Sequence, residues 1–282
     1  MAKTRRPARH RPARHQAQLR CHRPPARSSR RPPPQPLRRP TIPFASTERI
    51  LLVSDGDLSF ACSLLQHHGC TRLMVTVFEN EDELAIKYPE TAPANVQALT
   101  TAAVPLRFGL DITQAKPWSW ACEGPHRLGT MDRIICNFPH VGGKTTDVNR
   151  QVRYNQELLV ALFARALPCL APTHGASIIV TLFDGEPYTL WNIRDLARHS
   201  GLEVARSFPF NASEYPGYQH VRTLGIVKGR NGEIGGGWKG EERPARSYEF
   251  VRNGEGPARA ASMKKKKKKK EEEEDSSSEL EN

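Results

Sequence analysis

The first forty residues contain no aspartate or glutamate, although they carry twelve arginines and one lysine. Nine prolines fall in the same stretch, and no apolar run does. The N-terminus therefore lacks both the hydrophobic segment of a secretory signal and the means to bury a core. Its Arg-rich, acid-free composition is shared with organellar transit peptides, but the proline density opposes the amphipathic helix those peptides form. Residues 1–43 are expected to be a disordered tail. No run of 18 apolar residues occurs anywhere, which excludes a membrane-spanning helix. The six cysteines, Cys21, Cys62, Cys70, Cys122, Cys136 and Cys169, form no CxxC and no His/Cys pairing at zinc spacing, so no metal site is expected. Cys62 and Cys136 lie in apolar surroundings and read as reduced, buried thiols, in keeping with a reducing compartment.

The charge that is present sits at the ends of the chain. The net charge is +12, yet between Thr41 and Lys228 sixteen basic residues face eighteen acidic ones. The part expected to fold, residues 47–228, is not basic. Electrostatic attraction for a nucleic acid would come from the tail or from local patches. After residue 228 the chain turns Gly- and Arg-rich, and near its end come seven lysines, four glutamates, an aspartate and three serines. Residues 229–282 are expected to be a solvated low-complexity tail.

Between these ends, short apolar runs alternate with helix-compatible segments. Strands are expected at residues 50–53, 73–78, 104–108, 133–137 and 177–182, with a final pair at 203–208 and 221–227. Helices are expected at 58–69, 81–88, 155–170 and 191–199. Continuously apolar strands separated by helices indicate a mainly parallel sheet covered on both faces. The last two strands, joined without an obvious helix, suggest an antiparallel hairpin at one edge. The expectation is an α/β fold with seven strands.

In such a sheet ligands bind beyond the carboxyl ends of the strands. The first strand ends in Ser54-Asp55-Gly56-Asp57, which is neither a Walker loop nor a three-glycine dinucleotide fingerprint. Two carboxylates repel a pyrophosphate and suit a ligand with an ammonium or other donors. Glu79, after the second strand, can accept both hydroxyls of a ribose, and Asp111, after the third, can accept from an adenine amino group. An amino-acid end, a ribose and a base together describe S-adenosylmethionine. Singly, each of these acids is better explained as a cap or turn residue, and it is their recurrence after successive strands that favours a ligand. The fourth strand runs into Asn137-Phe138-Pro139-His140-Val141-Gly142-Gly143. Asn before such a turn forms an acceptor-lined corner, similar to the Asn-Pro-Pro-aromatic loop with which many methyltransferases hold a planar nitrogen. Within it, His140 can stack on a base, accept its proton, or merely cap the loop.

The segments SDGDLSFA, VFENEDELAIKYP, GLDIT, MDRIICNFPHVGG, NQELLVALFARA, VTLFDGEPYTLW and YPGYQHVRTLG, in that order, resemble the family of Rossmann-like methyltransferases that includes the yeast 25S ribosomal RNA uridine-N3 methyltransferase. The resemblance spans about residues 48–227. It implies a Rossmann-like methyltransferase fold, S-adenosylmethionine as methyl donor, ribosomal RNA as substrate and a nuclear or nucleolar address, with cytoplasm and mitochondrion as alternatives. The family's first loop usually reads Gly-Glu-Gly-Asp where this chain has Ser54-Asp55-Gly56-Asp57, and its second acidic position, usually Asp, is Glu79. On this reading Asn137 and the Phe138 carbonyl grip a uracil imide beside Pro139, and His140 stacks or acts as base. Asp55 and Asp57 hold the methionine end directly or through water, and Pro187, Tyr188, Tyr215–Tyr218 and Arg222 face the RNA, unless the tyrosines serve only to pack the edge hairpin. A methyltransferase-like RNA- or protein-binding module without catalysis is the alternative that the altered first loop keeps open. A nicotinamide-dependent oxidoreductase fits the single-glycine loop poorly.

Removing residues 1–43 should weaken RNA binding and flatten its dependence on salt, because each lysine or arginine contact to phosphate adds close to one unit to the slope of log K against log salt. Filter binding across a salt series measures this. An unchanged slope would show that the tail does not touch RNA.

Overall fold

The apolar runs divide between two environments. Along β1 (Ile50–Leu52), Ile50 and Leu52 enter one core cluster, whereas Leu51 and the following Val53 enter the other. In β6 (Arg133–Asn137), Ile135 faces the first cluster, and Ile134 and Cys136 face the second. A period of two with apolar residues on both sides is what a strand needs when helices cover both faces. The computed structural model describes residues 41–114, 116–124, 126, 128–143, 145–223, 225 and 240–256. Of the two tails expected from composition, all but residues 41–43 and 240–256 lies outside the described residues.

The remaining elements, in chain order, are α1 (Ser59–His68), β2 (Leu73–Thr76), α2 (Glu81–Lys87), α3 (Ala92–Thr101) and β3 (Leu106–Arg107); after these come β4 (Cys122–Glu123), β5 (Leu128–Gly129), α4 (Val148–Ala166), β7 (Ser177–Phe183), α5 (Ile193–His199), β8 (Leu202–Phe210) and β9 (Ala245–Arg252). The main sheet runs β3-β2-β1-β6-β7-β9-β8, with β4 and β5 paired separately. Strands β3, β2, β1, β6 and β7 pair in parallel, and β9 is antiparallel to both of its neighbours. This is the expected mainly parallel seven-stranded sheet with an antiparallel pair toward one edge.

Helix spacing explains the layers. In α4 the buried residues Leu158, Leu159, Leu162, Phe163 and Ala166 recur every three or four positions and pack on the β6–β7 face. Each buried aliphatic side chain of this kind contributes about 1.5–3 kcal/mol. Helix α1 buries Phe60, Ala61 and Leu64 on the opposite face and stops at Gly69, whose φ of 65° suits a residue without a Cβ.

Two expectations are corrected. The seventh strand is Ala245–Arg252, within the segment expected to be a solvated tail. Residues 221–223 and 225 adopt no strand, and the rest of 221–227 lies outside the described residues. The folded domain therefore extends beyond residue 228. The sequence Ala-Arg-Ser-Tyr-Glu-Phe-Val-Arg conceals the strand because its charges read as solvated. In the fold Glu249 is only 5% exposed. It accepts from Ser177 Oγ at 2.9 Å and pairs with Arg206 of β8, which makes a charged strand compatible with an interior place in the sheet. Helix α3 is the second omission. Only Ala92 and Leu99 are buried in it, too sparse a stripe to announce a helix.

A chain ending at residue 228 should fail to fold, since β7 and β8 both hydrogen-bond to β9. Circular dichroism and urea denaturation of that truncation, against one ending at residue 256, measure the effect. Equal cooperative transitions would contradict the placement of β9.

Candidate active site

At the carboxyl ends of the parallel strands lies a cavity of about 550 Å³. Ser54, Asp55, Gly56, Asp57, Glu79 and Asp111 line one side of it, and Asn137, Phe138, Pro139 and His140 line the other. All ten residues singled out from the sequence meet there.

The first loop is held by Thr76, fully buried on the neighbouring strand β2. Its hydroxyl donates to the Leu52 carbonyl at 3.1 Å and accepts from the Ser54 N–H at 3.3 Å, and its carbonyl accepts from the Asp55 N–H at 3.0 Å. The turn places Ser54 at φ 56°, a left-handed conformation that costs a residue with a Cβ about 1–2 kcal/mol. That is the position where the family usually has glycine. Gly56 matters for another reason: a Cβ there would lie 2.7 Å from Val221 Cγ2, so any larger residue would push on the segment that crosses the loop after β8.

The two aspartates cap α1. Asp55 Oδ2 accepts from the Ala61 N–H at 2.8 Å, and Asp57 Oδ1 accepts from the Ser59 N–H at 3.1 Å. The cap reading and the ligand reading are thus compatible, because a carboxylate has two oxygens. Asp57 is 2% exposed, and among the described residues its Oδ2 has no hydrogen-bond partner. An unpaired buried carboxylate oxygen beside a cavity calls for a cation or a donor. Burial raises the Asp55 carboxyl to about 7; the Ala61 N–H opposes this and the neighbouring Asp57 charge adds to it. Glu79 forms an ion pair with Lys87 of α2 through Oε1. Asp111 Oδ1 accepts from the backbone N–H of Thr113 at 2.8 Å and from its hydroxyl at 2.6 Å. In each case the second oxygen remains.

On the opposite wall the Phe138 N–H extends the ladder to the Thr181 carbonyl at 2.8 Å. Phe138 then turns to φ 53° and puts its ring 4.5 Å from Phe183 and 4.4 Å from His220. A non-glycine residue in this conformation at a cavity wall is backbone strain of the kind that collects at functional sites. The Asn137 amide oxygen accepts from the Thr181 hydroxyl at 2.7 Å. The corner is therefore not acceptor-lined throughout, as the sequence suggested, because this oxygen is engaged inside the sheet. His140 also departs from expectation. Its Nδ1 accepts from the Gly142 N–H at 2.9 Å, and burial lowers its pKa. The ring is then neutral with its proton on Nε2, so it faces a ligand as a donor or a stacking surface and not as a base. Its ring centroid lies 5.9 Å from that of Trp191. The loop is tied to α4, where Asn155 Oδ1 accepts from the Val141 N–H and Gln151 donates to the Gly142 carbonyl.

The segment after β8 roofs the cavity. Gln219 N donates to Ser59 Oγ at 3.1 Å, and Tyr88 donates to the Arg222 carbonyl at 2.9 Å. Of the residues expected on the RNA side, Tyr188, Tyr218 and Arg222 line the cavity, whereas Pro187 does not. Tyr215 is 5% exposed, packed against Phe60 and Phe210. Sequence reasoning did not reach Lys87, Tyr88, Phe183 or His220, all of which line the cavity. His220 is pushed down to about 4 by burial and by the Arg243 charge, and the Arg243 guanidinium lies 4.2 Å above the Phe183 ring. All four fall inside the quoted segments VFENEDELAIKYP, VTLFDGEPYTLW and YPGYQHVRTLG, but only the fold turns them inward.

A seven-stranded sheet in this order, with carboxylates ending β1 to β3 and an Asn-Phe-Pro-His elbow ending β6, is a Rossmann-like methyltransferase fold. Residues 51–222 match the family described as rRNA (uridine-N3-)-methyltransferase BTM5-like, and the chain belongs to that family. It is 31% identical over 257 residues to the 25S rRNA (uridine(2634)-N(3))-methyltransferase of Saccharomyces cerevisiae, covering 75% of this chain and 74% of that one. It is also 30% identical to the uncharacterized protein At4g26485 of Arabidopsis thaliana, over 64% of this chain and 85% of that one. A third relative, the ferredoxin-fold anticodon-binding domain-containing protein 1 homolog of Mus musculus, is 31% identical over 61% of this chain and only 27% of its own length.

Because the folded pKa of Asp55 lies above its usual 3.8, the native state binds a proton there more tightly than the unfolded chain does. That site's contribution to stability falls as pH rises from about 4 through about 7. Asp55→Asn should therefore raise the melting temperature at pH 8 and lose this advantage by pH 4. A pH-independent difference between the two proteins would refute the raised carboxyl.

Proposed function

We propose that this chain transfers a methyl group from S-adenosylmethionine to N3 of a uridine in ribosomal RNA. The observation that carries the reading is the juxtaposition, in one cavity, of a carboxylate-lined half and the Asn137–His140 elbow. Family membership supplies the base and the RNA.

The residues present fit the methyl donor. Asp55 and the unpartnered oxygen of Asp57 suit its ammonium group. Glu79 keeps one oxygen for ribose hydroxyls beyond its bond to Lys87, and Asp111 keeps one for an adenine amino group. A volume of about 550 Å³ lies within the range of small-molecule and cofactor pockets. When bound, S-adenosylmethionine supplies an electrophilic methyl carbon and leaves as a neutral thioether.

The protein's own task is to orient the acceptor. Uridine N3 is a weak nucleophile until its imide proton leaves, so alignment and stabilisation of the deprotonated base carry much of the acceleration. Phe138, Phe183, Tyr188 and His220 offer ring faces and edges on which an unstacked base can rest. His140 presents its Nε2–H to that base. Since N3 lies on the pairing edge, a target within a helix must be flipped out to reach the elbow. Phosphate contacts would come from Arg222 at the rim and from the basic N-terminal tail. The work belongs where ribosomal RNA is made, and the run Lys264–Lys270 suits nuclear import.

Methyl transfer from labelled donor to ribosomal RNA, compared between wild type and Asn137→Ala, tests the assignment. A loss of about a hundredfold or more is expected for removal of one preorganised polar group at the reacting centre. Equal rates would take Asn137 out of the mechanism.

A further inference from the structure

Asn137, Thr181 and Ser247 stand in register on three adjacent strands: β6 pairs Asn137 with Thr181 of β7, and Thr181 pairs with Ser247 of β9. Their side chains form a continuous hydrogen-bonded row. Thr181 Oγ1 lies 2.7 Å from Asn137 Oδ1 and 2.8 Å from Ser247 Oγ. Thr181 is fully buried and Ser247 is 2% exposed, so the row sits inside the sheet and only its Asn137 end reaches the cavity.

Counting protons fixes its direction. If Ser247 donates to Thr181 and Thr181 donates to Asn137, both hydroxyl protons have acceptors. In the reverse direction the Ser247 hydroxyl proton would point at no acceptor among the described residues, and leaving a buried donor unmet is costly. The row therefore runs from Ser247 through Thr181 to the Asn137 oxygen. The Asn137 amide nitrogen is left without a partner among the described residues, and it can only donate.

We infer that Thr181 and Ser247 are positioning residues that turn Asn137 into a fixed donor, and that this donor selects a uracil imide over other nitrogen targets. The inference rests on the proposed N3 methylation. An exocyclic amine offers two N–H groups and is gripped by two acceptors. A uracil imide is an N–H flanked by carbonyls, and it is matched by one acceptor and one donor. The Phe138 carbonyl supplies the acceptor for N3–H, and the Asn137 N–H supplies the donor for a neighbouring carbonyl. Cytidine, with an unprotonated ring nitrogen beside an amino group, meets the same pair with its polarity reversed. In the reaction the N3 proton leaves the Phe138 carbonyl for water, the methyl carbon takes the in-plane direction it vacates, and the freed electron pair forms the N–C bond. The C–S bonding pair leaves with sulfur. Negative charge grows on the flanking carbonyls as the proton departs, so the Asn137 donor binds the reacting base more strongly than the resting one.

The test uses full-length protein and deproteinised ribosomal RNA from cells lacking the chain, with products read as 3-methyluridine and 3-methylcytidine by nucleoside mass spectrometry. Wild-type formation of 3-methyluridine is the control on which the proposed function itself stands. Thr181→Val should lower that rate about tenfold or more and move the rising limb of the kcat profile up by about one pH unit, because the imide anion loses a donor. The ratio of 3-methylcytidine to 3-methyluridine should rise. Thr181→Ser, which keeps the hydroxyl, should restore all three. Asn137→Asp exchanges the donor for a second acceptor at nearly constant shape and should cost about a hundredfold or more. Calorimetric binding of S-adenosylhomocysteine should be the same in every variant. The inference is overturned if Thr181→Val keeps the wild-type profile and product ratio, or if Asn137→Asp remains active. Should Thr181→Val not fold, Asn137→Asp decides alone.

Discussion

A carboxylate can accept in two directions at once, and the site depends on that. Asp55 and Asp57 each commit one oxygen to an N–H in the first turn of α1, which fixes the loop ending β1. Asp57 then holds its other oxygen buried and unpartnered among the described residues. Local structure thus places negative charge where the chain would otherwise avoid it. The raised carboxyl of Asp55 is the energetic trace of that arrangement. Such a site is destabilising while empty of positive charge and becomes favourable when an ammonium arrives.

The same logic of split valences recurs around the cavity. Glu79 is bound on one side by Lys87, Asp111 caps Thr113, and the Asn137 oxygen is bound by Thr181. In each case a bond within the protein orients the group and leaves a second polar atom without a partner among the described residues. Preorganisation of this kind is what methyl transfer needs, since the methyl donor is already reactive and the protein's contribution is geometry. The segment after β8 completes the enclosure, and the ring cluster around Phe138 and His220 gives the wall at the end of β6 an apolar face.

Much of this was legible in the chain. The apolar runs at β1, β2, β6 and β7, the interrupted loops after them and the Asn-Phe-Pro-His elbow identified both the sheet and all ten cavity residues chosen from the sequence. What escaped did so for identifiable reasons. Strand β9 is charged, and partners on other elements, Arg206 and Ser177 for Glu249 and the Leu170 carbonyl for Arg252, make those charges compatible with a place inside the sheet. Helix α4 starts at Val148, seven residues before the expected start at residue 155, because Val152 is the one apolar side chain of its first two turns that packs on the core. The polarity of Asn137 depends on Thr181, 44 residues later. The state of His140 depends on a single N–H from Gly142. Residue identity gives a side chain's capacity for bonds, but a neighbour brought close by the fold decides which of them remain.

The most direct measurement of the central claim is quantification of 3-methyluridine in ribosomal RNA from cells with and without this chain. The account predicts a specific loss of that nucleoside, restored by the wild-type sequence and not by Asn137→Ala. Unchanged 3-methyluridine, with the missing methyl group on another base or on protein, would contradict it.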